Sequence, residues 1–175
     1  MVRRADAQGG LGGVAQDRWT STGVGALQRG IQLRQKMNFG VLASRGDRLV
    51  FLNDDTEVRT DNWVEELLAP LEEPDVGMTG AMLLFSSNTI QHVGYAYLRG
   101  HYDHPGSATP YSAPGPWGSH HINREVSGVT AACSGMRRED FFDVGGFAEV
   151  FPAIQRCRPL LQVHDRIAHC HSGRR

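Results

Sequence analysis

A chain of 175 residues with 18 basic and 19 acidic side chains is long enough for one domain with a real core and too short to hold two comfortably. Its formal charge of -1 lacks the basic excess of a dedicated nucleic-acid binder, which excludes nucleic acid as a principal partner. Three cysteines, Cys133, Cys157 and Cys170, show no C-x-x-C spacing, which argues against a disulfide framework or a four-cysteine zinc site and makes a reducing compartment the default.

The opening Met-Val-Arg-Arg runs into Gly, Gln and Asp rather than an apolar stretch, so no signal peptide is expected, and no apolar run reaches membrane-spanning length. Residues 1–35 are rich in Gly and Arg, with apolar residues at neither a strand nor a helix period, and are expected to be irregular. From Lys36 the composition changes. Met37, Val41 and Leu42 fit one helix face that Gly46 ends. Arg48 to Leu52 is a short apolar run of the kind that forms a buried parallel strand.

Asp61 fits the N-cap of a helix through Trp63, Val64, Leu67, Leu68 and Leu71, with Glu65 and Glu66 in the early turns where the helix dipole favours acids. Pro70 and Pro74 end it. Val76 to Phe85 and Thr89 to Leu98 read as two further strands, so the order strand, turn, helix, strand predicts an α/β layer. Residues 99–125 are expected to be a long surface loop. Val126 to Met136 returns to strand composition, and Arg138 to Val144 is a short helix closed by Gly145-Gly146. After Phe151 the apolar period fails again, so 152–175 is expected to be an irregular tail.

Asn53-Asp54-Asp55-Thr56-Glu57 directly follows the apolar strand, at the carboxyl end where open α/β sheets bind ligands. Moving a group off a nucleoside diphosphate requires neutralising the leaving diphosphate, and a hard divalent cation on one or two carboxylates does this. On its own, the segment reads more readily as an acidic turn that caps the following helix.

VFLNDDTEV followed by a tryptophan-containing helix resembles the Asp-x-Asp segment of family 2 glycosyltransferases. ASRGD before it, TIQHVG after it and VSGVTAACSGMRREDFFDVGGF further on resemble the same family in order and spacing. The resemblance covers about residues 36–151 and implies a partial domain of the GT-A type: a mixed, mostly parallel sheet flanked by helices, incomplete at both ends. It implies metal-assisted, inverting transfer of a sugar from a nucleotide-sugar donor to a hydroxyl of a glycan or other acceptor, with Mn²⁺ or Mg²⁺ as cofactor. Carried over residue by residue, Asp55 is the metal ligand, Asn53 lies against the donor's ribose or diphosphate, and Asp54 supports them. Gly128, Thr130, Ala132 and Cys133 match the acceptor side, with Thr130 its leading polar contact. Gly145, Gly146 and Phe147 match a structural turn. The family also implies a cytoplasmic location, with peripheral association at the inner face of a membrane.

The resemblance breaks where the family places the carboxylate that takes the acceptor's proton. Shortly past Gly-Gly-Phe this chain reads Ala153-Ile154-Gln155-Arg156-Cys157-Arg158-Pro159, without an acid. Codons for that stretch, read one base later, can encode x-Phe-Asn-Asp-Val-Asp-Leu, the missing motif. The same shift over Ile31-Gln32-Leu33 can give Phe-Asn-Phe. Both ends are therefore read as frame-shifted relative to the middle, and a truncated, non-catalytic relic stands as the alternative function. A third reading, a nucleotidyltransferase, would need a lysine after the glycine-rich GGLGG at 9–13, and none follows.

His92, His101, His104, His120 and His121 are expected to be solvated loop histidines rather than a metal site. The tail's His164, His169, Cys170 and His171 are read as misread sequence rather than a zinc knuckle. Cys133 is expected to be a buried, inert thiol. Trp117 either stacks on a sugar or anchors its loop.

Overall fold

The computed structural model describes residues 33–148 in full, together with the backbone strands 2–5, 19–22, 159–162 and 168–170. Strands β1 (Val2–Ala5) and β2 (Trp19–Thr22) precede helix α1 (Leu33–Ala43). Met37 and Val41 lie one turn apart on the core face of α1, whereas Leu42 is exposed, because one residue further turns the side chain by about 100°. Leu42 is therefore not part of the buried face. The helix end is satisfied by an arginine rather than by Gly46: Arg138 Nη1 donates to Val41 O at 3.0 Å and Nε to Gly46 O at 2.6 Å.

β3 (Arg48–Leu52) is buried on both faces, as its apolar run predicts. Leu49 and Phe51 pack with Val41, Met136 and Phe141 on one side, while Val50 and Leu52 pack with Trp63, Val64 and Leu67 on the other. After the exposed β4 (Thr56–Val58) comes α2 (Trp63–Leu68). Its N-cap is Asn62 rather than Asp61 and makes no side-chain cap; Asn62 Nδ2 instead donates to Glu66 Oε1 at 2.6 Å. Pro70 falls in a tight turn of helix, Ala69–Glu72, that completes the element.

The two long strands expected at Val76 to Phe85 and Thr89 to Leu98 each break in two. β5 (Met78–Ala81) and β6 (Leu83–Leu84) belong to different sheets, with Met82 at the change. β7 (Ile90–His92) and β8 (Ala96–Leu98) are separated by Gly94 in the left-handed region at φ 88°. β8 pairs with β9 (His101–Asp103) as a hairpin, so the predicted long loop carries structure of its own. Within that loop, His120 is buried, with Nδ1 3.1 Å from Ala113 O. Trp117 is 98% exposed at φ 51° and does not anchor it. β10 (Arg124–Glu125), β11 (Cys133–Arg137), α3 (Arg138–Asp143), β12 (Pro159–Gln162) and β13 (Ala168–Cys170) follow. The strand expected from Val126 thus begins only at Cys133.

The sheets run β10-β12-β5-β11-β3-β1-β2, β4-β13-β6-β7 and β8-β9. A mostly parallel sheet is not what these ladders show. β11 lies between β3 and β5 and is antiparallel to both, with Cys133 opposite Leu52 and Met136 opposite Met78; in the largest sheet only β12 and β5 pair in parallel. An apolar run reports burial on both faces but not the direction of the neighbouring strand. The ends also contribute strands where irregular chain was expected, since a ladder needs backbone groups and no apolar period. Residues 153–158, where the catalytic base was sought, lie outside the described residues.

Candidate active site

Leu52 ends β3, and the chain turns at once: Thr56 N–H donates to Asn53 O at 3.3 Å. Asn53, Asp54 and Asp55 are exposed on this turn. Among the described residues, neither Asp54 nor Asp55 enters an ion pair or a side-chain hydrogen bond, so both carboxylates are available to a ligand.

The segment 128–133 is folded against the same turn. Asn53 N–H donates to Ala132 O at 2.9 Å, and Thr56 Oγ1 approaches the same oxygen at 3.5 Å. Ala132 N–H in turn donates to Thr130 Oγ1 at 3.3 Å. Gly128 O accepts from Tyr95 N–H at 2.8 Å. Asn53, Thr130 and Ala132 are thereby brought together, with Gly128 two residues further back. Cys133 joins only through its backbone: its side chain sits in the core beside Val50 and Leu83, and burial pushes its thiol up to about 12. Its side chain therefore cannot face an incoming hydroxyl, in agreement with the expected buried thiol and in contrast to its expected place on the acceptor side.

The loop geometry depends on a residue that sequence reasoning placed in solvent. His92 is 2% exposed, and its Nε2 lies 3.2 Å from Thr130 N. Because that N–H donates, Nε2 is the acceptor and the ring proton sits on Nδ1, which faces His104 Nδ1 at 3.2 Å. Desolvation, reinforced by the charges of His104 and Arg124, lowers the pKa of His92 to about 3, so it is neutral. The signal was present: Ile90 and His92 are two apart on one strand, and the buried face that takes Ile90 takes His92. His120 is likewise buried, whereas His101 and His104 are exposed.

The acidic turn offers hard oxygen ligands in small number. Among the described residues no group of three or more His, Cys, Asp or Glu side chains is placed to hold a metal. The donor set of Asp54 and Asp55 therefore fits a divalent ion of the Mg²⁺ or Mn²⁺ kind that completes its shell with water and phosphate oxygens, rather than a resident metal in a protein cage. No described helix is long and apolar enough to cross a membrane.

The family model described as Glycosyl transferase family 2 matches residues 28–145. The chain is 37% identical over 116 residues to the O-antigen biosynthesis protein RfbC of Myxococcus xanthus, covering 65% of this chain and 9% of that protein. It is 36% identical over 113 residues to the uncharacterized protein y4gI of Sinorhizobium fredii (strain NBRC 101917 / NGR234), covering 64% of this chain and 12% of that protein. The chain thus spans about a tenth of the length of the curated relatives it matches. With a match over most of its length, including both the acidic turn and the segment folded against it, the chain belongs to glycosyl transferase family 2.

Proposed function

We propose that this domain binds a nucleotide-sugar donor at the turn 53–55 and passes its sugar, with inversion, to a hydroxyl of a glycan acceptor near Thr130. The observation that supports it is the Asn53–Ala132 hydrogen bond, which holds a turn bearing two free carboxylates against the acceptor-side loop. Asp55 would hold Mn²⁺ or Mg²⁺ with Asp54 in support, and the ion would offset the charge of the departing diphosphate. Asn53 would contact the ribose or diphosphate, and Thr130 would orient the acceptor. The acceptor oxygen forms a bond to the anomeric carbon as the bond to the diphosphate breaks, and its proton must pass to a carboxylate. The O-antigen biosynthesis role in the relative's name favours a glycan acceptor. Such an enzyme would work in the cytoplasm, at the inner face of a membrane.

Calorimetry with nucleoside diphosphates tests the donor site. Binding should require Mn²⁺ or Mg²⁺ and should weaken by about tenfold or more in Asp55→Ala. Metal alone should bind weakly, because the chain supplies too few ligands. Metal-independent binding that survives Asp55→Ala would overturn the assignment.

A second reading, a non-catalytic relic, is favoured by one observation: residues 153–159 hold no acid. The nucleotide sequence decides whether that stretch is shifted. Codons that read x-Phe-Asn-Asp-Val-Asp-Leu one base later support a shifted end, and codons that cannot do so reject it.

A further inference from the structure

Five rings stand in a row from solvent to the acceptor-side loop. Tyr97 and Tyr102 lie directly opposite each other on β8 and β9, with ring centroids 5.0 Å apart. Tyr102 meets Tyr95 at 5.7 Å, Tyr95 meets His104 at 4.5 Å and His92 at 4.8 Å, and His92 accepts the Thr130 N–H. The outer end is open: Tyr97 is 53% exposed and Leu98 beside it 54%. The inner end is the segment assigned above to the acceptor.

The hairpin is fixed to that segment by its backbone. Tyr95 N–H donates to Gly128 O at 2.8 Å, Ser127 N–H to Tyr95 O at 3.1 Å, and Tyr97 N–H to Ser127 Oγ at 3.2 Å. The row therefore cannot shift relative to Thr130 without breaking several hydrogen bonds. A cross-strand aromatic pair does stabilise a hairpin, but that role is best served by burying the rings, and Tyr97 keeps half its surface in water. Sugar rings present an apolar C–H face that packs on an aromatic ring while their hydroxyls remain solvated, and tyrosine matches both demands.

We propose that Tyr97 and Tyr102, backed by Tyr95, form a glycan-binding subsite that holds sugar units of the acceptor beyond the one that reacts. This rests on the reading of Thr130 as the acceptor side. It extends that reading by giving the acceptor a class, an oligosaccharide rather than a single sugar, and a direction, outward along the β8–β9 hairpin.

The chain has four tyrosines, and Tyr111 lies outside the row, so tyrosine-labelled protein carries its own control. Maltohexaose, chitohexaose and mannohexaose, each against its monosaccharide, are titrated into the full chain while the tyrosine ring resonances are followed by NMR. At least one hexasaccharide should move Tyr97 and Tyr102, leave Tyr111 in place, and bind more tightly than its monosaccharide. Tyr97→Ala should weaken that binding by about tenfold or more, and Tyr97→Phe should retain it. If Tyr97→Ala proves unfolded by circular dichroism, the ring shifts of the unmutated chain decide. No movement of Tyr97 and Tyr102 with any hexasaccharide, or equal binding by a folded Tyr97→Ala, overturns the subsite. Metal-dependent nucleoside diphosphate binding is measured in the same samples. Nucleotide binding without glycan binding defeats the subsite alone, and glycan binding without nucleotide binding defeats the donor reading alone.

Discussion

The backbone N–H of Asn53, on a turn whose side chains are all in water, is held by the carbonyl of Ala132 at 2.9 Å across 79 residues of sequence (132 minus 53). A hydrogen bond of this kind joins the end of β3 to the approach of β11 and sets the distance between the acidic turn and the segment that ends at Ala132. Amide hydrogen exchange should therefore find Asn53 protected, while its exposed neighbours Asp54 and Asp55 exchange rapidly. Equal exchange at all three amides would show that the two segments are not held together in solution.

Gly80 on β5 lies against Val129 of the segment that precedes β11. A Cβ there would lie 2.5 Å from Val129 Cβ and 2.6 Å from its Cγ1, a contact no side chain tolerates. Gly80→Ala should cost about 1–3 kcal/mol in urea unfolding. The cost should shrink when Val129 is also changed to glycine, since the two positions share one space. Equal costs in both backgrounds would place the strain elsewhere.

His92 links acid pH to stability. Its pKa falls from 6.5 to about 3 in the folded chain, so below 6.5 the unfolded chain takes up a proton that the folded one refuses. Stability from this residue is complete above 6.5 and declines as pH falls toward 3, by up to roughly 1.4 kcal/mol per pH unit. His104 and Arg124 face it, and their charges add to the lowering that burial imposes on His92. Urea midpoints measured at about pH 7.5 and about pH 5 should fall less in His92→Gln than in the unmutated chain. Parallel declines would remove His92 as the cause.

Cys133 is a test of core burial that needs no mutation. With its thiol pushed up to about 12 and its side chain fully enclosed, it should resist iodoacetamide in native buffer and react once the chain is unfolded in guanidinium. Mass spectrometry of the peptide that contains it reads the result. Ready alkylation of the native chain would mean the β3–β11 layer opens.

The parts of the fold that were legible in sequence are those where burial leaves a mark on side-chain spacing. β3 was clear because Leu49 to Leu52 face two helical layers at once, α2 because Trp63, Val64 and Leu67 share a face, and the α3 turn because Gly145 and Gly146 close it at φ 81° and 73°. The acidic turn was legible in position, since it follows β3 directly. Strand direction was not: β11 reads the same in either orientation, and only its partners reveal the antiparallel insertion. Nor did the continuous run from Val76 to Phe85 show that the chain changes sheet at Met82. His92 was misjudged by residue type, because a neutral imidazole with both nitrogens paired is as buriable as the Ile90 two residues before it.

The insertion of β11 between β3 and β5 also dictates an order of assembly. β3 and β5 lie within one short stretch of chain, yet they do not pair with each other; the strand that joins them is made only after the whole of 82–132. During synthesis both therefore wait with bare edges until residues 133–137 leave the ribosome, and the centre of the sheet closes late, over a long loop. A growing chain halted before that point exposes two apolar strands that can pair with any other extended segment. The molecule's vulnerable interval is thus during its manufacture, when the strand that will hold its middle together does not yet exist.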